Sequence, residues 1–408
     1  MSRANVFCIA IDAWHAGYVG AYGNTQLPTP GIDRFAARGV VCDRAVVTGT
    51  DEDSGLGSRD SVAAALALAR ALGQSGWQTT LLSDDGDAVA PIASSFHAHI
   101  AIPYKPASRA ADSVEGTQLF RIFAALGDAL TDVAAQRFAT QPDRPFFIWT
   151  HARGMNAAWD APYELRRSIL DDDDPDPPRD LVFPARRLPP DVDPDELLGL
   201  RAAYAAQVAV LDECLAALDD LLAESGLDQN TLVVLVGVRG FPLGEHGAVG
   251  LDRAPLHEEL LHVPLVLRFP GDAHATLRLP QLATHADLVP TLCDACRVPT
   301  PPLSAEQTAA RVASLMPLVE TESGPWRDRV VHRGGDESAI TTPAWRLRQS
   351  PTRTQLYVKP DDRWEVNDVA TRCRDVTEKL LAHIQSAREA AKQGEPPPPL
   401  DEVLVEGL

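Results

Sequence analysis

The sequence contains no long apolar segment. None of its 408 residues belongs to a run that approaches the ~20 apolar residues needed to span a bilayer. We also expect no N-terminal targeting segment, because the short apolar run 6–11 ends abruptly at Asp12 and suits a strand better than a signal peptide. Basic residues are scarce, so the formal net charge is -20. We therefore expect a cytoplasmic protein that binds neither nucleic acid nor an anionic membrane surface.

The sequence also lacks the second cysteine pair that a structural zinc site requires. Among the six cysteines, only Cys293 and Cys296 form a Cys-x-x-Cys motif, and they lie in a segment with a helical pattern. The pattern favours reduced thiols packed in the core. An acidic run at residues 171–174, followed by prolines, indicates a solvated loop.

One stretch, residues 231–264, indicates where a binding site would form. Its apolar run 233–236 ends at Gly237, which is typical of a parallel strand covered on both faces. Ligands of open α/β sheets bind at the carboxyl ends of such strands. We therefore expect the functional groups between Gly237 and His246. The chain length and the 45% of hydrophobic residues suit a large α/β domain followed by a second, smaller domain.

Several motifs accompany this stretch along the chain. They are Gly240, Gly244-Glu245-His246-Gly247, Leu256-His257-Glu258-Glu259, Val263-Pro264-Leu265, Gly20-Ala21-Tyr22-Gly23 and Thr29-Pro30-Gly31-Ile32-Asp33-Arg34. In these motifs the sequence resembles the sulfatase family of the alkaline-phosphatase superfamily. The resemblance implies an α/β, alkaline-phosphatase-like sandwich with a central, mostly parallel sheet over residues 1–300. It also implies a small C-terminal α+β subdomain over residues 301–392, and composition predicts a mobile tail over residues 393–408.

The resemblance breaks down where the family binds a divalent cation. Asp12 matches the family's first metal-binding aspartate, but Ala13 stands at the next ligand position. Val238 and Arg239 replace the two ligands that follow the central strand. One carboxylate does not make a Ca²⁺ or Mg²⁺ site, and arginine does not lose its proton to become a ligand. We therefore expect no metal cofactor and predict that Arg239 pairs with Asp12 in place of the cation.

The family's nucleophile is also missing. The family places it in Cys-x-Pro-Ser-Arg at the start of a helix, whereas residues 47–59 contain neither cysteine nor proline, and Gly55 occupies the nucleophile position. The catalytic residue is therefore unknown. An alternative hypothesis keeps a nucleophile and one Ca²⁺ or Mg²⁺ ion. Its nucleophile would be Ser54, Thr48 or Thr50, and its metal ligands Asp12, Asp51 and Asp53.

The resemblance also names candidates for binding an anionic substrate. Arg253 lies where the family has a substrate-binding lysine, and Asn156 lies at the position of a ligand histidine. His246 and Arg239 complete this set. His151, which matches a family histidine at another strand end, is a further catalytic candidate. The competing interpretation is structural, with His151 bonding a backbone carbonyl and the cations pairing with acidic side chains.

Three functional hypotheses follow. The first is a sulfatase-like protein that has lost metal and nucleophile, hydrolyses no ester, and binds a small anion or a protein partner. The alternative is an active sulfuric or phosphoric ester hydrolase with an atypical nucleophile and metal site. The third, a purely structural interaction protein, predicts an exposed apolar patch or a stable oligomer.

Overall fold

The structure is a computed structural model, which describes residues 3–49, 59–105, 107–139, 144–182, 186–187, 189, 191–251, 254–324 and 326–407. The strands in these ranges are β1 (Asn5–Ile11), β2 (Val40–Ala45), β3 (Gln78–Ser83), β4 (Ala98–Ala101), β5 (Phe146–Ala152), β6 (Arg186–Arg187), β7 (Thr231–Gly237), β8 (Ala248–Val249), β9 (Leu265–Arg268), β10 (Arg278–Ala283), β11 (Val330–Gly334), β12 (Glu337–Thr341), β13 (Trp345–Gln349) and β14 (Thr354–Val358). The helices in these ranges are α1 (Pro30–Ala37), α2 (Arg59–Gln74), α3 (Gly86–Val89), α4 (Gln118–Ala139), α5 (Tyr163–Arg167), α6 (Pro194–Glu224), α7 (Glu258–Leu261), α8 (Leu288–Cys296), α9 (Ala305–Ala309), α10 (Met316–Thr321), α11 (Arg374–Gln393) and α12 (Glu402–Glu406).

The described part of the chain is built on one central sheet, in the order β10-β2-β9-β7-β1-β5-β3-β4. Its neighbouring strands are parallel, apart from the two pairs that β9 makes with β2 and β7. The predicted α/β architecture with a mostly parallel central sheet is thereby confirmed. Because the parallel strands share one direction, the residues that follow β1, β5 and β7 lie at one edge.

The central strand β1 is buried on both faces, which explains its unbroken apolar sequence. Successive strand residues point to opposite sides. Accordingly, Phe7 and Ile9 join one core, whereas Val6 and Cys8 join the other. Helices α1, α4 and α6 cover the first face, and α2 and α8 cover the second. Two layers of helices therefore cover the two faces of the sheet. The strand ends are the part of the sheet that remains for a binding site.

The C-terminal part forms the predicted small subdomain. Strands β11, β12, β13 and β14 make an antiparallel sheet, against which α11 packs. For the segment 393–408 the sequence predicts a mobile tail, and its described residues make contacts with the subdomain. Leu404 in α12 is fully buried, and the Trp345 indole N–H donates to the Val403 carbonyl at 2.8 Å. The apolar residues that supply this packing, among them Leu400 and Leu404, follow the four consecutive prolines.

The six cysteines form no disulfide, and all of them except Cys373 are buried. Burial raises the pKa of Cys293 to about 11 and that of Cys296 to about 12, so both remain thiols. This agrees with the expected packed, reduced cysteines. Among the described helices, none is both long and apolar enough to cross a membrane.

Candidate functional site

Three adjacent strands bring Asp12, Arg239 and Asn156 together. The strands β7, β1 and β5 lie side by side, and their last residues are in register. Asp12 follows β1 directly, Arg239 lies just beyond the end of β7, and Asn156 lies in the loop after β5. The strand-end position predicted for the functional groups is thus where these side chains meet.

The carboxylate of Asp12 receives two hydrogen bonds at each oxygen. Its Oδ1 accepts from Arg239 Nε at 2.9 Å and from the Ala13 N–H at 2.8 Å. Its Oδ2 accepts from Arg239 Nη2 at 3.0 Å and from Asn156 Nδ2 at 2.9 Å. A carboxylate offers about four lone-pair positions, and all of them are in use. The predicted pairing of Arg239 with Asp12 is therefore present, in the two-pronged geometry that a guanidinium favours.

The groups around Asp12 do not fit a divalent cation. Calcium and magnesium require about six oxygen ligands, whereas Asp12 here faces a guanidinium and the N–H groups of an amide and of the backbone. The ion pair is also shielded from water, because the side chains of Arg239 and Asp12 are 14% and 4% exposed. Across the described ranges, no three or more His, Cys, Asp or Glu residues are grouped to hold a metal ion.

Ala13 and Gly154, which flank the ion pair, both have a left-handed backbone conformation. Ala13 adopts a left-handed conformation with φ 57°, which is strained for a residue with a side chain. Its carbonyl accepts from the Tyr204 hydroxyl at 2.8 Å. Gly154 has φ +54°, and a Cβ there would lie 2.3 Å from the Asp12 carbonyl oxygen. Only glycine allows this approach, which brings Asn156 within reach of Asp12.

Tyr204 is a residue of this site that the sequence did not reveal. In the sequence it counts as one of the apolar positions of a long helix. In the structure its hydroxyl accepts from the His15 N–H at 2.9 Å while it donates to Ala13. The only hint in the sequence is that a tyrosine occupies a core position, because a buried tyrosine hydroxyl needs a hydrogen-bond partner.

His151 is buried close to the ion pair. It is fully buried, and neither ring nitrogen makes a hydrogen bond within the described part of the chain. The backbone-carbonyl bond expected from the structural interpretation is therefore not found. Burial lowers the pKa of His151, and Arg239 and Arg153 lower it further, against the opposing charges of Asp12 and Asp85.

Arg153, a further cation in the loop after β5, is held by acidic residues. Its guanidinium pairs with Asp85 at 2.9 Å and donates from Nε to the Asp84 carbonyl at 3.1 Å. It also lies over the Tyr104 ring at 5.0 Å from the centroid. Burial raises the pKa of Asp84, against the hydrogen bonds from the Arg153 N–H and Gln118. These contacts favour a structural role for this cation.

His246 is engaged by partners other than Asp12. Its Nδ1 lies 2.8 Å from Glu259 Oε1, and its Nε2 lies 3.2 Å from the Glu365 carbonyl oxygen. Its ring stacks on His257 with 3.6 Å between the centroids. Burial opposes a charge on His246, but Glu259 and Glu365 outweigh it and raise its pKa. Both ring nitrogens of this substrate-binding candidate are thus used within the protein.

Thr48 is the one nucleophile candidate that lies in the described ranges. Its hydroxyl donates to Asp60 Oδ2 at 2.5 Å, and its N–H donates to the same oxygen at 3.0 Å. Thr48 and Asp60 line a cavity of about 380 Å³ to which none of Asp12, Arg239 and Asn156 contributes. The other sequence candidates, Ser54, Thr50, Asp51, Asp53 and Arg253, lie outside the described residues.

The parallel sheet, the polar strand ends and the small antiparallel sheet together define an alkaline-phosphatase-like α/β protein. The phosphonate monoester hydrolase of Agrobacterium radiobacter superposes with a TM-score of 0.72 at 18% sequence identity, over 96% of both chains. A protein solved in complex with its substrate D-glucosamine-2-N,6-O-disulfate superposes with a TM-score of 0.69 at 17% identity, over 97% of this chain and 99% of that chain. At these identities the likeness shows the fold alone.

The family model described as Sulfatase matches residues 68–298, which is more than half of the chain. The chain therefore belongs to the sulfatase family. An N-acetylglucosamine-6-O-sulfatase of Bacteroides thetaiotaomicron is 26% identical over 178 residues, which cover 42% of this chain and 30% of that protein. The multifunctional alkaline phosphatase superfamily protein PehA of Trinickia caryophylli is 28% identical over 138 residues, which cover 33% of this chain and 25% of that protein. The matches thus span less than a third of either relative.

Proposed function

We propose that this chain is a non-hydrolytic member of the sulfatase family, in which the Asp12–Arg239 ion pair takes the place of the divalent cation. The observation that carries the proposal is the saturation of the Asp12 carboxylate, which accepts four hydrogen bonds from Arg239, Asn156 and Ala13. A cation would have to displace a guanidinium that bonds both oxygens and is only 14% exposed.

The residue types support the same proposal. A metal in an ester hydrolase polarises the substrate oxygen and activates the nucleophile. Val238 is apolar and buried in the core, so it offers no ligand. Arg239 cannot become a ligand because it keeps its proton. The remaining role of the strand-end site is to hold its own backbone together, and binding of an anion or of a partner belongs to other surfaces.

We expect the purified protein not to hydrolyse 4-nitrophenyl sulfate or 4-nitrophenyl phosphate above the rate in buffer, with Ca²⁺ or Mg²⁺ added. The physical reason is that Arg239 bonds both oxygens of Asp12, so that no cation is held there to polarise an ester or to activate a nucleophile. The assay should be run beside a sulfatase that retains metal ligands at the two positions that Val238 and Arg239 occupy here. Turnover that depends on added metal and falls in an Asp12→Asn variant would contradict the proposal.

A second candidate function rests on the contact between Thr48 and Asp60. A hydroxyl that donates to a carboxylate at 2.5 Å has a general base in place, as an activated nucleophile requires. The candidate is an ester hydrolase that uses the 380 Å³ cavity rather than the Asp12 site. Metal-independent hydrolysis that is lost in both Thr48→Ala and Asp60→Asn, and kept in Asp12→Asn, would favour it over the first proposal.

A further inference from the structure

A second, larger cavity lies where the C-terminal subdomain meets the outer strands of the central sheet. This junction cavity has a volume of about 960 Å³ and is bordered by residues 20–23, by β2 and β10, and by segments 341–343 and 359–363. None of Asp12, Arg239 and Asn156 lines it. Its volume is in the range of small-molecule sites, which is roughly 300–1,000 Å³.

Two carboxylates at the cavity, that of the partly exposed Glu258 and that of the buried Glu365, are already neutralised. Glu258 pairs with Lys359 at 2.9 Å, and Glu365 pairs with Arg346 at 3.1 Å and with Lys359 at 3.3 Å. Burial works against the charge on Glu258, but Lys359 and His262 outweigh it and lower its pKa. Two cations and two carboxylates therefore balance each other at this border.

Two further guanidiniums on the cavity wall, those of Arg44 and Arg363, form no ion pair of their own in the described part of the chain, and the carboxylate whose charge acts on both is Glu258, which is already paired with Lys359. Arg44 donates to the carbonyls of Pro343 at 2.9 Å and Thr342 at 2.7 Å, and it forms no ion pair with a described carboxylate. Arg363 lies over the neighbouring Trp364 ring at 5.0 Å and likewise has no ion pair within the described ranges. Burial lowers the pKa of both arginines, although arginine keeps its proton at neutral pH.

The charge excess is unusual in this protein, whose formal net charge is -20. Acidic side chains are abundant, yet none in the described part of the chain forms an ion pair with Arg44 or Arg363, and Glu258, whose charge acts on both, is shared with Lys359. A guanidinium has five N–H donors, so Arg44 retains three after its two carbonyl bonds. The two arginines thus give this side of the cavity unused N–H donors and about two positive charges that no ion pair neutralises.

Acceptor groups line the same cavity. The Gln281 side-chain oxygen is buried and accepts no hydrogen bond within the described ranges. Asp43 and Arg278, which both line the cavity, form an ion pair. The Asp43 carboxylate keeps lone-pair positions free to accept hydrogen bonds from hydroxyl groups. A ligand that suits both sets of groups carries an anion at one end and hydroxyl groups at the other.

We propose that the junction cavity binds a phosphate monoester of a polyol, with the phosphate held by Arg44 and Arg363 and the hydroxyl groups facing Gln281. A phosphate monoester carries about -1.5 to -2 charges at neutral pH, which matches two uncompensated guanidiniums, whereas a sulfate monoester carries one. The site is separate from Asp12, so it does not depend on whether the protein hydrolyses esters.

Isothermal titration calorimetry at constant ionic strength tests the proposal, with glucose 6-phosphate as the probe and glucose 6-sulfate as the monoanion of similar shape. We expect one glucose 6-phosphate per chain and at least tenfold weaker binding of glucose 6-sulfate. Arg44→Gln and Arg363→Gln should each weaken phosphate binding at least tenfold. The Arg363 guanidinium makes no hydrogen bond within the described residues, and the one bond to its backbone carbonyl, from Lys359 Nζ, does not depend on its side chain, so we expect Arg363→Gln to fold even if Arg44→Gln does not.

Two control variants separate this site from general charge effects. Arg109→Gln removes an exposed cation paired with Asp112 and should leave binding unchanged. Asp12→Asn should also bind as the wild type does. The proposal is overturned if glucose 6-phosphate shows no saturable binding, if glucose 6-sulfate binds equally tightly, or if binding survives both arginine substitutions. Loss of binding in Asp12→Asn alone, at a temperature where circular dichroism shows this less stable variant to be folded, would overturn it too, because the ligand would then occupy the strand-end site.

Discussion

Replacement of Arg239 by methionine should lower the free energy of unfolding by about 3–5 kcal/mol near neutral pH, because it leaves a buried carboxylate without its counter-ion. Methionine keeps much of the side-chain volume, so the loss reports charge rather than packing. Asp12 would retain only Asn156 and the Ala13 N–H as donors. Chemical denaturation of the two proteins measures the difference.

A double-mutant cycle isolates the pair. We expect Asp12→Asn alone to be costly as well, because it strands a guanidinium that is 14% exposed. The combined variant should cost at least about 2 kcal/mol less than the sum of the single changes, since residues in direct contact are coupled by about 0.5–3 kcal/mol. Arg109→Met, in an exposed pair with Asp112, is the matched control and should change stability by less than about 0.5 kcal/mol. Additive single effects, or an Arg239→Met cost no larger than that of the control, would show that the two side chains do not form the pair described.

Acidification should destabilise the protein by about 4 kcal/mol between pH 7.5 and pH 5.0 through two buried histidines alone, at 1.36 kcal/mol per pKa unit. Burial lowers the pKa of His262 from 6.5 to about 4 and that of His332 from 6.5 to about 3. Below pH 6.5 the unfolded chain therefore binds protons at these two histidines, whereas the folded chain does not. Their stabilising effect is complete above pH 6.5 and is lost as the pH falls towards the folded-state values.

Other buried histidines act in the same direction, and one acts against them. Burial also lowers the pKa of His151, His257 and His285. His246, with a raised pKa, contributes stability that is present at low pH and is lost as the pH rises through its folded-state value. The net change is therefore a loss of stability on acidification.

Denaturation midpoints at pH 7.5 and pH 5.0 measure the effect. His332→Gln should remove part of the pH dependence, because glutamine can keep hydrogen bonds to the Val47 carbonyl and Thr341 without titrating. The exposed His99→Gln should leave the pH dependence unchanged. Equal stability at the two pH values, or an equal effect of both substitutions, would mean that the buried rings are not held neutral.

The ion pair could be predicted from the sequence because its geometry follows from strand order. Asp12 and Arg239 each come just after an apolar run that reads as a parallel strand, and such strands end at one edge of a sheet. Opposite charges placed there, in positions where the resemblance implies metal ligands, left few other arrangements. The hydrogen bonds of Asp12 agree with that expectation.

The role of Asn156 could not be predicted in the same way. Its alignment with a ligand histidine suggested contact with substrate, whereas its side chain donates to Asp12. That contact depends on the path of the loop after β5, which Gly154 allows by approaching the Asp12 backbone with a positive φ. A glycine in a sequence does not tell which backbone atom it will approach.

The junction cavity and the packing of the C-terminal segment could not be predicted from the sequence, for a related reason. Arg44 and Arg363 lie far apart along the chain and line one cavity only in the folded structure, where segments of the subdomain border β2 and β10. The prolines near residue 397 indicated a mobile tail, but Leu400 and Leu404 pack into the subdomain core. Composition averages over a segment, whereas packing depends on a few apolar side chains within it.

Metal binding by the purified protein tests the central claim most directly. Elemental analysis should be followed by titration with Ca²⁺ and with Mg²⁺, with the thermal unfolding midpoint as the readout, because a ligand that binds the folded state raises that midpoint. With Arg239 on both oxygens of Asp12, the account predicts no stoichiometric metal and no saturable rise in Tm. About one equivalent of bound metal per chain, or a saturable rise that Asp12→Asn abolishes, would contradict it.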